Sequence, residues 1–178
     1  MIKRGPFGFE MGMRPDELPN DFREIGPGVY HAPTAPKPHS AFSNYVLSFS
    51  DRYGLYSISA YSSTIYTSTY GSEIMARFNE LKAKLEKVYG NCESYDFLMH
   101  GSIWDEPRDW MHSLMNKDRS LAAAWDEKYG SRLDNQIATI FLNVVAESTT
   151  EGHISLAYFF ENHGVVVAER EQLEDEAL

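Results

Sequence analysis

Residues 137–162 have the sequence IATIFLNVVAESTTEGHISLAYFFEN, and this stretch decides the fold. It holds two runs in which apolar residues recur at every second position, and the polar link ESTTEG separates them. A period of two places successive side chains on opposite faces of a strand. The link carries the hydroxyl and glycine residues typical of a longer hairpin loop. The stretch therefore predicts two half-buried strands that pair antiparallel, as a hairpin over about 137–162.

A second hairpin is predicted over about 44–62, where SNYVLSFS and LYSISAYS flank the turn DRYG. Asp51 suits the first position of a turn and Gly54 its last position. The alternation puts Tyr45, Leu47 and Phe49 on one face of the first strand. Strand-like alternation on both sides of a turn is the pattern of paired neighbours.

Two helical segments are predicted between these hairpins. Over about 72–89, apolar residues recur at spacings of three and four, which places them on one helical face, with Ser72 as a plausible N-cap and Gly90 as the terminator. Over about 107–128, Pro107 suits a first helical turn, and Leu121 and Trp125 pair at i, i+4 in a second short helix that begins near Asp118.

These elements predict an α+β fold with a single antiparallel sheet of about four to six strands and both helical segments packed on one face. The length of 178 residues fits one domain over 1–178. Residues 1–40 form a Gly- and Pro-rich arm, residues 91–104 a connection, and residues 169–178 an acidic tail. The run VVVA after Gly164 predicts a last short strand.

Composition excludes several classes of function. The formal net charge of −10, without a Lys/Arg stripe, disfavours nucleic-acid and anionic-membrane binding, which need a positive surface. No apolar run approaches the ~20 residues of a membrane-spanning helix, and the basic start lacks the apolar segment of a signal peptide. A cytoplasmic location is therefore expected. One cysteine excludes an intrachain disulfide and a cysteine-based zinc site.

No motif for catalysis, a metal or a cofactor is present. The chain contains neither a phosphate-binding loop, nor a strand-linked G-x-G-x-x-G, nor a G-x-S-x-G elbow. His31 and His39 lie in a Pro-rich loop without a third ligand nearby, so no metal site is predicted. We therefore expect no cofactor and name no catalytic residue.

One constellation resembles a carbohydrate-binding site, because Asp105, Glu106 and Asp109 lie between Trp104 and Trp110. The preferred interpretation is a helix N-terminus, where acidic residues complement the helix dipole and the tryptophans fill the core. A single helix start also lacks the opposed second carboxylate that glycoside cleavage needs.

A surface is the better candidate for function. If the helices cover one face of the sheet, the opposite face mixes hydroxyls with aromatics, a composition found at recognition surfaces. The candidate interaction face consists of Ser57, Ser59, Tyr61, Phe141, Asn143, Ser155, Phe159 and Glu161. Coverage by the chain's own arm is the preferred structural explanation for this face, ahead of a homodimer contact and a ligand site.

The sequence favours a non-catalytic binding or interaction protein, such as an adaptor or an acidic inhibitor of the immunity type, with a protein partner. The alternative is a small hydrolase whose His and Asp/Glu groups come from separate elements, which calls for a deep pocket with two such groups in hydrogen-bond reach. A structural homodimer is a third hypothesis. No known family is recognised in these residues.

Overall fold

The computed structural model describes residues 5–178, whose nine strands form one antiparallel sheet. Residues 1–4, the basic start considered for a signal peptide, lie outside the described residues. The strands are β1 (Arg23–Gly26), β2 (Val29–Ala32), β3 (Asn44–Ser50), β4 (Gly54–Tyr61), β5 (Ile65–Tyr66), β6 (Glu93–Leu98), β7 (Arg119–Asp126), β8 (Ile137–Ala146) and β9 (Glu151–Phe160). Their order is β1-β2-β3-β4-β9-β8-β7-β6, and β5 also pairs with β9.

Three helices accompany the sheet: α1 (Ser72–Tyr89), α2 (Trp110–Met115) and α3 (His163–Asp175). Helix α1 packs on β5, β8 and β9, and α2 packs on β7 and β8. None of the helices between residues 5 and 178 combines the length and the apolar character needed to cross a membrane. The predicted α+β class with one antiparallel sheet is confirmed.

Both predicted hairpins are confirmed, and they lie side by side in the sheet. Leu47 pairs with Ile58 in the first hairpin, Ile140 pairs with Tyr158 in the second, and Ile58 pairs with Tyr158 across the junction. Because paired residues point to the same side, the buried sets of all these strands form one continuous inner face. Its members are Tyr45, Leu47, Phe49, Leu55, Ile58, Ala60, Leu121, Ala123, Trp125, Ile140, Leu142, Val144, Ile154, Leu156, Tyr158 and Phe160.

The predicted helix over 72–89 is confirmed as α1, with a different N-cap. Gly71, rather than Ser72, occupies the N-cap position with a φ of 70°. Glu73 accepts hydrogen bonds from the Ser68 N–H and the Thr67 hydroxyl, and these bonds lower the pKa of the Glu73 carboxyl to about 2. Thus a carboxylate in the first turn of α1 binds the preceding loop.

The prediction of a helical region over 107–128 is wrong in its second half. Residues 107–115 are helical, but residues 119–126 form strand β7. A spacing of four residues places two side chains on the same side of a helix and also on the same side of a strand. Leu121 and Trp125 therefore did not distinguish the helix from the strand. Residues 122–124 are all buried, so the strand is apolar on both faces and shows no alternation. The connection predicted over 91–104 contains strand β6, whose exposed residues mark it as an edge strand. The sheet therefore exceeds the predicted four to six strands.

The N-terminal arm covers the inner face rather than the opposite one. The Phe7 ring lies 5.0 Å from that of Tyr45 and 5.8 Å from that of Tyr158, and both tyrosines belong to the inner face. Phe9 is fully buried in the same core. Helices α1 and α2 lie toward β7, β8 and β9, so the inner side of β3 and β4 needs another cover. The predicted coverage of the second face by the arm is therefore wrong.

The predicted last strand at VVVA is also wrong, because this run lies in α3. Both sides of β9 are already paired, to β4 and to β8, so no position beside it is open to a following strand. Val166 is buried, whereas Val165 and Val167 are exposed, as expected for one packed side of a helix. The acidic tail therefore continues a helix that packs on the sheet.

Candidate functional site

The face opposite the inner face, called here the outer face, carries the predicted interaction residues. The β4–β9 register pairs Ser59 with Ala157 and Tyr61 with Ser155, and the β8–β9 register pairs Phe141 with Ala157 and Asn143 with Ser155. These pairs make two adjacent rows across three strands. The two hairpins therefore join into one surface, as expected if they share a sheet.

Five of the predicted residues form a contiguous group, called here the outer patch: Ser59, Tyr61, Phe141, Asn143 and Ser155. All five side chains are half-buried, so each still presents part of its surface to solvent. Two aromatic rings thus stand among two serine hydroxyls and one carboxamide in the middle of the sheet. Because the inner side of the same strands is fully packed, this group is not needed to close the core.

The other three predicted residues lie outside the outer patch. The Phe159 ring packs edge-on against His163 of α3, with 4.7 Å between the ring centroids. Ser57 pairs with Phe159 and is buried. Glu161 lies beyond the end of β9, where its N–H donates to the Gln136 carbonyl. Helix α3 therefore covers this end of the outer face.

Acidic groups flank the outer patch. Glu93 faces outward and is exposed, because it pairs with Ala124 on the outer side of β7. At the hairpin end of β8 and β9, Glu147 lies 2.8 Å from His153, whose ring is 5.9 Å from Tyr61. Helix α3 brings the acidic residues of the C-terminal tail to the opposite end. Acidic groups therefore border the patch at these three places.

A cleft adjoins the outer patch where β7 and β8 separate. Their pairing ends at Ala122 and Asn143, although β8 stays paired with β9 as far as Ala146. The cleft has a volume of about 390 Å³, and Phe141 and Asn143 line it together with Leu114 of α2. Strand backbone without a partner at such a position can accept an additional segment. The outer patch thus leads into a depression whose lining combines apolar side chains with the cations Lys117 and Arg119.

The histidine at the start of α3 leads us to expect that the cover of the outer face depends on pH. Burial lowers the pKa of the His163 imidazole below its ordinary value of 6.5, and the charge of Arg170 lowers it further. The neutral ring is thus favoured in the folded protein. Its contribution to stability is fully present above pH 6.5 and declines as pH falls through the lowered pKa.

We therefore expect amide protection in α3 to decrease when pH is lowered from about 7.5 to about 5.5, as measured by hydrogen exchange. His163→Gln removes the titrating ring and should flatten this dependence. His100→Gln, at an exposed position, serves as the matched control and should retain it. A decrease of the same size in His163→Gln would show that another group is responsible.

The structure brings together few of the groups considered for catalysis. Among residues 5–178, His153 and Glu147 are the histidine and carboxylate within hydrogen-bond distance of each other, and they lie at the end of a hairpin. No group of three His, Cys, Asp or Glu side chains in this part of the chain could hold a metal. The hydrolase hypothesis thus has one His–Glu pair to draw on among residues 5–178, and neither side chain lines the cleft beside β7 and β8.

The carbohydrate-like constellation is the start of a helical segment. Residues 107–109 form a helical turn that leads into α2, and Trp110 is buried in the core. Trp104 stacks on the His112 ring at 4.4 Å, and Glu106 pairs with Arg108. The two indoles therefore pack against the protein instead of framing one surface.

No protein-family model, curated protein or solved structure matches this chain. The candidate site therefore consists of the outer patch and the adjoining cleft. Sequence reasoning missed the cleft and its lining residue Leu114, because it placed residues 119–126 in a helix rather than in a strand beside β8. The run of three alanines in β7 offers no signal for a strand, because alanine has the highest helix propensity.

Proposed function

We propose that the protein is a non-catalytic binding protein, of the adaptor or acidic-inhibitor type, and that a basic protein partner docks on the outer patch. The observation that carries this proposal is the half-exposed pair Tyr61 and Phe141 at the centre of a sheet face that the arm, α1 and α2 leave open. Aromatic residues at the centre of a surface commonly supply most of the binding free energy.

The chemistry of the patch suits a protein surface. Tyr61 and Phe141 supply apolar contact area, while Ser59, Ser155 and Asn143 can donate and accept hydrogen bonds at fixed points of the sheet. A strand scaffold keeps these groups in place, so little conformational entropy is lost on binding. The adjoining cleft offers a recess for one side chain of the partner.

Charge identifies the kind of partner. The chain carries a formal net charge of −10, and acidic residues flank the patch at both ends. A positively charged surface would be attracted during diffusional encounter, and its association rate would fall with rising ionic strength. A second copy of this chain carries the same net charge and would be repelled.

The test compares the wild-type protein with the double variant Tyr61→Ala/Phe141→Ala. Each protein is immobilised, and the proteins that it retains from a mixture are quantified by mass spectrometry. Calorimetry then measures the affinity for the partner that the wild type retains and the double variant does not. We expect the dissociation constant to rise at least about thirtyfold, since truncation of a central aromatic anchor costs roughly 2 kcal/mol or more. Tyr66→Ala is the matched control, because Tyr66 is exposed on β5 beside α1.

Two outcomes contradict the proposal. One is that the same proteins bind the wild type and the double variant equally. The other is that the wild type sediments as a dimer that the double variant abolishes, which would make a second copy the occupant. Retention of a basic protein that weakens with added salt and is lost only in the double variant supports it.

A further inference from the structure

A cavity on the inner side of the sheet lies between α1 and two loops, away from the outer patch. Its volume is about 230 Å³, and the three segments that enclose it are the loop before β3, the link between β4 and β5, and one side of α1. Its lining residues are His39, Ser40, Ala41, Ser62, Ser63, Thr64, Ile65, Arg77, Glu80, Leu81, Lys84 and Ile154. Because these segments are far apart in sequence, only the fold brings their side chains together.

Positive charge exceeds negative charge in this cavity. Lys84 Nζ lies 2.8 Å from Glu80 Oε1, and Arg77 lies 4.0 Å from the other carboxylate oxygen. Lys84, through its hydrogen bond and its charge, lowers the pKa of Glu80, and Arg77 and His39 contribute to the same effect. The single carboxylate of the cavity therefore faces two permanent cations and a histidine, in a chain whose net charge is −10.

The histidine presents a donor to the cavity. His39 Nδ1 accepts the backbone N–H of Ala41 at 3.1 Å, so the proton of the neutral ring is on Nε2. Its ring also rests on Phe42, with 5.9 Å between the centroids, which fixes its position. In either protonation state, Nε2 is thus a hydrogen-bond donor.

Further donors come from the link between β4 and β5. The Ser62 hydroxyl accepts the Ile154 N–H and donates to the Ser63 carbonyl, and so ties this link to β9. The N–H groups of Ser63 and Thr64, by contrast, have no hydrogen-bond partner among residues 5–178. Both residues are exposed, so these N–H groups are accessible to an acceptor that enters the cavity.

Apolar groups complete the lining. Ala41 and Ile65 are half-buried and present hydrocarbon to the cavity, whereas Leu81 and Ile154 are buried. A ligand in this cavity therefore contacts hydrocarbon on one side and cations and donors on the other. Inorganic ions alone would leave the hydrocarbon without a partner.

We infer that this cavity binds a small amphipathic organic anion. Its oxyanion group, a phosphate or a carboxylate, pairs with Arg77, Lys84 and His39, and its apolar body packs on Ile65 and the edge of Leu81. Arg77 and Lys84 are half-exposed or more, so their ends can turn from Glu80 to the ligand. Phosphate and carboxylate share this recognition, because both offer planar or forked oxygen acceptors to a guanidinium.

The competing explanation is an ordinary network of ion pairs along α1, in which Arg77, Glu80 and Lys84 lie at helical spacing. The two explanations differ in what removal of the carboxylate does. Glu80→Gln frees both cations and takes away the competing charge, so a ligand site should bind its anion more tightly. A mere ion-pair network predicts no ligand binding in either protein.

The experiment titrates the full chain with phenyl phosphate, benzoate and inorganic phosphate, and follows the amide signals of Ser63 and Thr64 by NMR. We expect saturable shifts, with phenyl phosphate or benzoate binding more tightly than inorganic phosphate; which of the two organic anions binds better identifies the head group. Arg77→Ala/Lys84→Ala should weaken binding at least about tenfold, since charge-assisted hydrogen bonds are lost. Glu80→Gln should strengthen it several-fold.

Lys82→Ala/Lys87→Ala is the matched control, because it removes two charges from α1 outside the cavity and should leave binding unchanged. Three results would overturn the inference: no saturable shift with any of the probes, equal loss in the control variant, or weaker binding in Glu80→Gln. The outcome is independent of the outer patch, whose variant Tyr61→Ala/Phe141→Ala should bind the probes like the wild type.

Discussion

Replacement of Trp125 by alanine is expected to lower the free energy of unfolding by about 4 kcal/mol, because truncation of a fully buried aromatic leaves a cavity that the core fills only in part. Trp125 is completely buried on the inner side of β7, opposite Ile140. Its indole N–H also donates to the Gly90 carbonyl at 3.1 Å, which joins β7 to the end of α1. Urea denaturation followed by circular dichroism measures the change.

Two further variants separate the causes. Trp125→Phe keeps most of the packed volume but leaves the Gly90 carbonyl without this donor, so a smaller loss of about 1–2 kcal/mol is expected. Trp104→Ala removes a half-buried indole that stacks on His112, and should cost less than Trp125→Ala. Equal losses for Trp104→Ala and Trp125→Ala would contradict the assignment of Trp125 to the core.

Gly71→Ala is expected to cost about 3 kcal/mol or more, by adding backbone strain to a steric clash. Gly71 has a φ of 70°, and a Cβ atom at this position would lie 2.2 Å from the nearest atom of the Trp110 ring. That ring is held in the core at the start of α2, so it cannot turn away as a surface side chain would. The substitution therefore disturbs the packing of α1 against α2.

Gly101→Ala is the matched control for Gly71→Ala. Gly101 has a φ of 83°, and a Cβ atom there would meet nothing within 4 Å. Gly101→Ala therefore measures only the cost of placing a residue other than glycine at a positive φ, which is about 1 kcal/mol. The difference between the two variants in thermal or urea unfolding gives the cost of the contact with Trp110. If that difference is absent, Trp110 yields to the added methyl group and the contact is not tight.

The elements that could be predicted are those whose local pattern has one interpretation. Residues 137–162 form two largely alternating runs around a polar link with turn chemistry, and this combination predicts a hairpin. Helix α1 was predictable for the same reason, since its buried residues recur at helical spacing over four turns. In both cases, burial of one face requires the periodicity that the sequence displays.

Strand β7 and helix α3 could not be predicted, because tertiary context decides between two local alternatives. The inner side of β7 packs on α2, and its outward alanines, Ala122 and Ala124, are buried beside the larger Asn143 and Phe141, so the strand shows no alternation. The valines of α3 favour a strand by propensity, but β9 has no side free for another strand. Local preference gives way where the neighbouring position is already occupied.

Of the two candidate sites, the outer patch could be predicted from the sequence and the cavity beside α1 could not. The alternation of side chains along the strands of the two hairpins was sufficient to place the residues of the outer patch on one face of the sheet. It could not exclude Phe159, whose cover comes from α3. The cavity beside α1 depends on the approach of His39, Ser63 and Arg77, and no pattern in the sequence links these three positions.

The position of β9 has a consequence for synthesis of the protein. β9 is made after β4 and β8, yet it pairs with both of them at the centre of the sheet. Ser62 and Ile154, which meet at this junction, are 92 residues apart. At roughly 5–20 residues per second, the ribosome needs several seconds or more to make that interval, and throughout it β4 is an open strand edge. The nascent chain therefore passes through a stage in which its first hairpin lacks its permanent neighbour, and protection from aggregation matters most at that stage.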